Sequence, residues 1–324
     1  MRCLVTGAGG FIGGHLVKRL VDTGHEVSAV DLKGTSEWWQ VSDYAENYGF
    51  MDLHYADDCS ETCDGVDWVF NLAADMGGMG FIESNKAACM LSVLISTNML
   101  NAARRMGVQR FFYSSSACVY PQGLQSMPAI TPLLAERHAY PADPEDGYGW
   151  EKLFSERMCR HFFEDYGLET RIARYHNVYG PHGTWTGGRE KAPAAICRKV
   201  AEAVVSGNHE IELWGDGKQT RSFTYIDDCI DGTIRLMESD YREPLNIGSD
   251  ELVTIEDLAE IVARQAEVEC SVVYDPSMPQ GVRGRCSDNT LCEEVLGWAP
   301  STRLADGIGP TYRWVLEQVL ASEA

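Results

Sequence analysis

The sequence predicts an α/β protein, a doubly wound parallel sheet with a smaller C-terminal α/β lobe for substrate. Three observations carry this expectation. A glycine triplet, Gly7, Gly10 and Gly13, lies between a short apolar strand and an amphipathic helix. Strand-like and helix-like segments then alternate, as in parallel strands joined by crossover helices. After about residue 175 the texture changes to Gly/Pro/Trp-rich loops at 180–193 and 214–219. Residues 1–175 are therefore expected to form the dinucleotide-binding domain, and 176–324 mainly the second lobe. The FTYIDD run, Phe223 to Asp228, reads as a return to the first domain near 220–248.

The elements follow in order. Leu4-Val5-Thr6 reads as the first strand, and Leu16, Leu20 and Val21 mark the apolar face of the first helix. Glu26 to Val30 form a second strand ending in Asp31. Val66 to Leu72 and Phe111 to Ser115 read as later strands, with a helix between them centred on 98–103. The second lobe shows a helix-like segment at 254–266, an Arg-rich loop at 281–285 and the LGWAP run at 296–300.

Composition bounds the partners. A chain of 324 residues with 44% apolar content buries a substantial core. A formal net charge of −21 repels nucleic acid and anionic membrane, so neither is expected as a partner. No apolar run of about 18 residues suggests a membrane span. The N-terminus runs straight into a strand without a signal-peptide core, which predicts a cytoplasmic protein. Eleven cysteines without regular spacing argue for reduced thiols, mostly as core filler, and no metal site is expected.

The glycine triplet has a physical role. Glycine permits the tight turn and lets the backbone approach a pyrophosphate, while the helix N-terminus beyond it offers free N–H groups. Phe11 and Ile12 lie inside this turn. Asp31 closes the second strand, where a carboxylate hydrogen-bonds the ribose 2′-OH and favours NAD over NADP. Lys33 lies close enough to soften that preference. Asp57, expected just before the third strand, either holds the adenine amino group or belongs to a solvated acidic loop with Asp58 and Glu61. Leu72, Ala73 and Ala74 end a strand with side chains that let a cofactor pass close. Together these residues form a Rossmann-type NAD cradle.

Tyr148 and Lys152 are i and i+4 on a predicted helix, so they share a face. A nearby ammonium lowers a phenol's pKa from about 10 and makes tyrosinate a usable base. Tyr148 is expected to take an alcohol proton while Ser116 holds the same oxygen.

This combination resembles the extended short-chain dehydrogenase/reductase superfamily over nearly the whole chain. The sugar-nucleotide branch shares the SSACVY run at 115–120, the RYHNVYGP run at 174–181 and the strand from Arg221 to Asp228. Within that branch the chain is similar to the GDP-mannose 3,5-epimerases. The match rests on ADMGGMGFI at 74–82, GGREKAPA at 187–194, WGDG at 214–217, QTRSF at 219–223 and GVRGR at 281–285.

The resemblance implies NAD as cofactor, a GDP-hexose as substrate, and Cys118 and Lys191 as an acid/base pair on opposite faces of the sugar. It also implies substrate contacts from Gly77, Ser116, Ala117, Asn177, Glu190, Ala192, Lys199, Gln219, Thr220, Arg221 and Arg283. The two arginines suit a diphosphate, which guanidinium binds in bidentate fashion. The chemistry agrees. Oxidising C4 to a ketone acidifies the hydrogens on C3 and C5, and inversion then needs one group to remove a proton and another to return one. The implied reaction converts GDP-mannose to GDP-L-galactose, with GDP-L-gulose as a 5-epimer. An NAD-dependent 4-epimerase, or an epimerase of a related nucleotide sugar, is the alternative. By position alone Cys118 reads as a buried small hydrophobe and Lys191 as a solvated loop lysine. His176 and His182 receive no role, and Trp185 and Trp214 either stack on ligand or pack the core. Trp150 and the stretches 34–52, 122–145 and 267–280 depart from the family pattern. A homodimer through two helices per subunit, one carrying Tyr148 and Lys152, completes the expectation.

Overall fold

The computed structural model describes residues 1–38, 48–126 and 132–323. Seven parallel strands form the main sheet. Their order across it is Leu245–Ile247, Glu169–Tyr175, Arg110–Ser116, Trp68–Asn71, Arg2–Thr6, Glu26–Asp31 and Tyr48–Phe50. The order reverses at the first strand, so the crevice beyond the strands' C-terminal ends is where such sheets hold ligands. Thr6, Asp31, Asn71 and Ser116 all lie at that edge. The strand at 245–247 pairs with Glu169–Tyr175, so the chain re-enters the sheet after crossing the second lobe.

Both faces of the sheet are buried along most of their length, the polar Thr170, Arg171 and Arg174 included. Helices Phe11–Asp22 and Ile226–Glu238 cover one face through Leu16, Leu20, Ile230 and Leu236. Helices Ala56–Cys63, Lys86–Met106 and Asp146–Tyr166 cover the other through Cys59, Ile95, Met99 and Cys159. Gly107 and Gly167 end the two long helices in left-handed conformations, with φ of 72° and 71°.

A separate core gathers helices Ala192–Ser206, Ile255–Gln265 and Leu304–Glu323 around Val200, Leu258 and Ile308. Thr254 and Asp257 cap the second of these reciprocally, each accepting the other's backbone N–H at 2.9 Å. A four-stranded sheet, ordered Leu252–Thr254, Thr220–Ser222, Gly284–Ser287 and Leu133–Leu134, joins three strands of this half of the chain to one from the first. Its central pair is parallel and sets Arg221 opposite Arg285.

One element is new. The strand Tyr48–Phe50 had no counterpart in the sequence reading, because three residues carry too little pattern. Asp57 precedes Trp68–Asn71 as expected and sits exposed in the first turn of Ala56–Cys63.

Candidate active site

The glycine cradle is built by close approach. Gly7 has φ of +68°, and a Cβ there would lie 3.0 Å from the Ala73 nitrogen. A Cβ on Gly13 would fall 2.2 Å from the Gly7 carbonyl oxygen. The Gly10 N–H donates to that same oxygen at 3.0 Å. Thr6 joins the cradle to the neighbouring strand end. Its hydroxyl donates to Asn71 and accepts from the Leu72 and Ala73 N–H groups, both at 3.1 Å. Phe11 and Ile12 open the helix behind the turn, and Ala74 continues the strand end beyond Ala73.

Asp31 faces this turn. One carboxylate oxygen accepts the Gly9 N–H at 3.0 Å and the other the Lys33 N–H at 2.9 Å. The Lys33 ammonium donates to the Gly9 carbonyl at 3.2 Å. Asp52, directly after the third strand, is the carboxylate next along the ligand edge, and its neighbour Met51 donates to the Asp31 carbonyl at 3.1 Å. Sequence reasoning weighed only Asp57 for the adenine, because the strand that places Asp52 was not seen.

Tyr148 and Lys152 lie on Asp146–Tyr166, buried at 5% and 2% exposure. Ser116 lines the pocket with Tyr148, and its hydroxyl accepts the Cys118 N–H at 3.2 Å. The expected lowering of the phenol's pKa is not what the site shows. Burial pushes Tyr148 up, with Cys118 and Glu151 adding in the same direction and the Ser116 hydroxyl opposing. The Lys152 ammonium stands 5.5 Å from the Tyr148 ring centroid and is paired with Glu151 at 3.4 Å.

The pocket opens over these residues. Gly77, Ser116, Ala117, Cys118, Tyr148, Asn177, Glu190, Lys191, Ala192, Lys199, Gln219 and Arg221 all line it. Two loops far apart in sequence make one wall. The Gly78 N–H donates to the Arg189 carbonyl at 2.9 Å, and the Arg189 guanidinium donates to Asp75 at 2.8 Å. Gly187 and Gly188 hold φ of +87° and +85°, which turns the chain into Lys191 at the start of Ala192–Ser206. Burial pushes the Lys191 ammonium's pKa down, partly offset by Cys118 nearby. The Asn177 amide donates to the Ser222 carbonyl at 3.0 Å, and Glu190 accepts the Gly188 N–H at 2.7 Å.

At the far end Lys199 donates to the Glu212 carbonyl at 2.7 Å and lies 5.8 Å from the Trp214 ring centroid. Gln219 donates to the Trp214 carbonyl at 3.1 Å and leaves its buried Oε1 without a hydrogen bond. Arg221 is anchored on the Val282 carbonyl at 2.5 Å, and burial beside Arg285 lowers it to about 10. Thr220, one residue before, donates its backbone N–H to the Arg283 carbonyl at 3.0 Å and does not line the pocket.

Arg283 departs from expectation. Its guanidinium forks onto Asp216 at 2.8 and 3.0 Å and stays off the pocket lining. Arg285 lines the pocket instead. It donates to Gln125 at 2.7 Å, to Glu145 at 2.6 Å and to the Cys118 sulfur at 3.5 Å. Sequence reasoning gave Arg285, Glu145 and Gln125 no role, since nothing in their spacing links them. The Cys118 side is closed by Cys89, Ile82 and Tyr148. His176 is fully buried, bonded to Asn246 at 3.0 Å, and belongs to the core rather than to the pocket.

The arrangement sets a hydroxyl pair, a thiol, an ammonium and a guanidinium around one cavity, beside a cradle shaped for a dinucleotide. The profile of the NAD dependent epimerase/dehydratase family matches residues 3–248. The chain is 51% identical over 320 residues to a GDP-mannose 3,5-epimerase 1 of Oryza sativa subsp. japonica, covering 98% of this chain and 82% of that one. It is 49% identical over 325 residues to the GDP-mannose 3,5-epimerase of Arabidopsis thaliana, covering 100% and 84%. Its fold superposes with a TM-score of 0.82 on the UDP-glucuronic acid 4-epimerase of Bacillus cereus, solved with UDP-glucuronic acid and NAD, at 25% identity over 98% of this chain and 100% of that one.

Proposed function

We propose, for a chain that belongs to the NAD dependent epimerase/dehydratase family and there to the GDP-mannose 3,5-epimerases, an NAD-dependent conversion of GDP-mannose to GDP-L-galactose, with GDP-L-gulose as a second product. The protein is a nucleotide-sugar epimerase that uses NAD. Cys118 and Lys191 lining one pocket with Tyr148 and Ser116 is the observation that carries the reading. NAD, when bound, takes up and returns the two electrons and hydrogen at sugar C4.

The residues of the chain divide the remaining work. Gly7, Gly10 and Gly13 let the pyrophosphate approach the backbone, Asp31 meets the adenosine ribose, and Asp52 and Asp57 are the carboxylates offered to the adenine amino group. Ser116 holds the C4 oxygen and Tyr148 takes its proton. With C4 oxidised, the hydrogens at C3 and C5 become acidic. Cys118 and Lys191 then remove and return protons there. Burial lowers the pKa of the Lys191 ammonium, which makes its neutral form easier to reach. Arg221 meets the diphosphate, and Arg283 reaches it only on releasing Asp216. Lys199, Gln219 and Trp214 lie where the base would sit.

A homodimer and a cytoplasmic setting belong to the same reading. Met90, Leu91 and Leu94 on Lys86–Met106, with Trp150 and Phe154 on Asp146–Tyr166, are exposed apolar side chains on two helices that pack together. A second copy covering both would bury them. A monomer by light scattering at micromolar concentration would remove the dimer. All eleven cysteines are free, in keeping with a reducing compartment.

The deciding experiment incubates the pure protein with GDP-mannose and NAD in D2O and follows the sugar by proton NMR. Deuterium at C3 and C5 with new GDP-hexose signals is expected. Inversion at C4 alone, with no exchange at C3 or C5, would give the 4-epimerase instead.

A further inference from the structure

We propose that Glu151 is a positioning residue for the redox step: its carboxylate is the buried counter-ion that fixes the Lys152 ammonium near Tyr148 and competes with the tyrosinate for it. The proposal rests on the redox role given above to Tyr148.

Three observations converge on Glu151. Its side chain is 0% exposed, and that of Lys152 is 3% exposed. One carboxylate oxygen, Oε1, accepts the Tyr113 hydroxyl at 3.1 Å and the Ser155 hydroxyl at 3.0 Å. The other, Oε2, is buried without a hydrogen bond and lies 3.4 Å from the Lys152 Nζ. A buried carboxylate oxygen costs free energy unless a charge answers it, and the ammonium is that charge.

The surroundings leave few other claimants. Tyr113 and Tyr148 face the ammonium with ring centroids at 5.0 and 5.5 Å. Cys89 comes from the helix Lys86–Met106, Cys118 from the turn after the strand Arg110–Ser116, and Cys159 from Asp146–Tyr166, two turns after Lys152. Burial pushes the Cys89 and Cys159 thiols and the Tyr113 phenol up, so they stay neutral at neutral pH. Glu156, one turn on, is already forked onto Arg174. Cys118 is held by Arg285. Glu151 is the anion that faces Lys152.

The consequence has a sign. An ammonium beside a phenol favours tyrosinate, and a second anion at contact distance from that ammonium offsets the effect. Glu151 thus delays ionisation of Tyr148 to higher pH while keeping the lysine charged and in place.

The test is the pH profile of kcat/KM for GDP-mannose turnover. Glu151→Gln keeps the shape and removes the charge. The acidic limb is expected to move to lower pH by roughly one unit, because the ammonium is left to the tyrosinate. Tyr113→Phe strips a hydrogen bond from Oε1, concentrates charge on Oε2, and is expected to move the limb the other way. If Glu151→Gln does not fold, the direction seen in Tyr113→Phe decides. An unmoved limb in a folded variant that still binds NAD, or a shift in the opposite direction, would overturn the proposal. Tyr148→Phe is run alongside. Wild-type turnover there would bring down the redox assignment, and this proposal with it. A dead Tyr148→Phe with unmoved limbs in the other two would bring down this proposal alone.

Discussion

The Arg285 guanidinium lies 3.5 Å from the Cys118 sulfur, held there by Glu145 and Gln125 behind it. The contact fixes the sulfur at the pocket wall. The buried pair with Glu145 also makes Arg285 structural, since removing one partner leaves an uncompensated charge. Arg285→Gln is expected to slow iodoacetamide labelling of Cys118 at neutral pH. It is also expected to cost about 3 kcal/mol of stability, read by urea unfolding. Labelling at the wild-type rate would detach Arg285 from the thiol.

Cys118→Ser and Lys191→Ala separate proton transfer from redox chemistry. Each is expected to lower deuterium exchange at C3 and C5 by about 10² to 10⁴-fold, while NADH absorbance still develops on adding GDP-mannose. Unchanged turnover in both would mean an epimerase that works at C4 without them.

The cradle could be read from the sequence because glycine spacing encodes backbone geometry directly, and Gly7 and Gly13 hold the close contacts the spacing implied. The helix carrying Tyr148 and Lys152 was readable for a similar reason, since i and i+4 fix a shared face. The Arg285 cluster was not. Gln125 ends a short helix, Glu145 caps the start of Asp146–Tyr166 and Arg285 lies on a strand, up to 160 residues apart, and no local pattern records their meeting. The phenol's pKa went the other way because burial is a property of the packed site and outweighs a lysine that Glu151 already holds.

On the proposed function, Asp31 sets the dinucleotide preference. Asp31→Ser removes the acceptor for the ribose hydroxyl and the charge that repels a 2′-phosphate. NAD binding is expected to weaken about tenfold, on the order of one charged hydrogen bond, while NADP binding tightens with Lys33 nearby. Fluorescence titration with both dinucleotides reads this, and an unchanged ratio would place the ribose elsewhere.

His176 gives the fold an acid limit. Burial lowers its pKa from 6.5 to about 3, so the folded protein holds it neutral. Between those values the unfolded chain binds one more proton, and stability falls with falling pH by about 1.4 kcal/mol per unit. Above pH 6.5 the contribution is constant. His176→Gln is expected to flatten this part of the slope in urea unfolding series at stepped pH. An equal slope in the variant would assign the acid sensitivity to other groups.

The clasp between the loops at 75–80 and 187–191 makes them one unit of exchange. Asp75 and Gly78 supply one half and Arg189 the other. A graft of either loop alone into a related scaffold strands a guanidinium or an N–H group without its partner. A graft of both carries its own register with it, and brings Lys191 to the pocket already aimed.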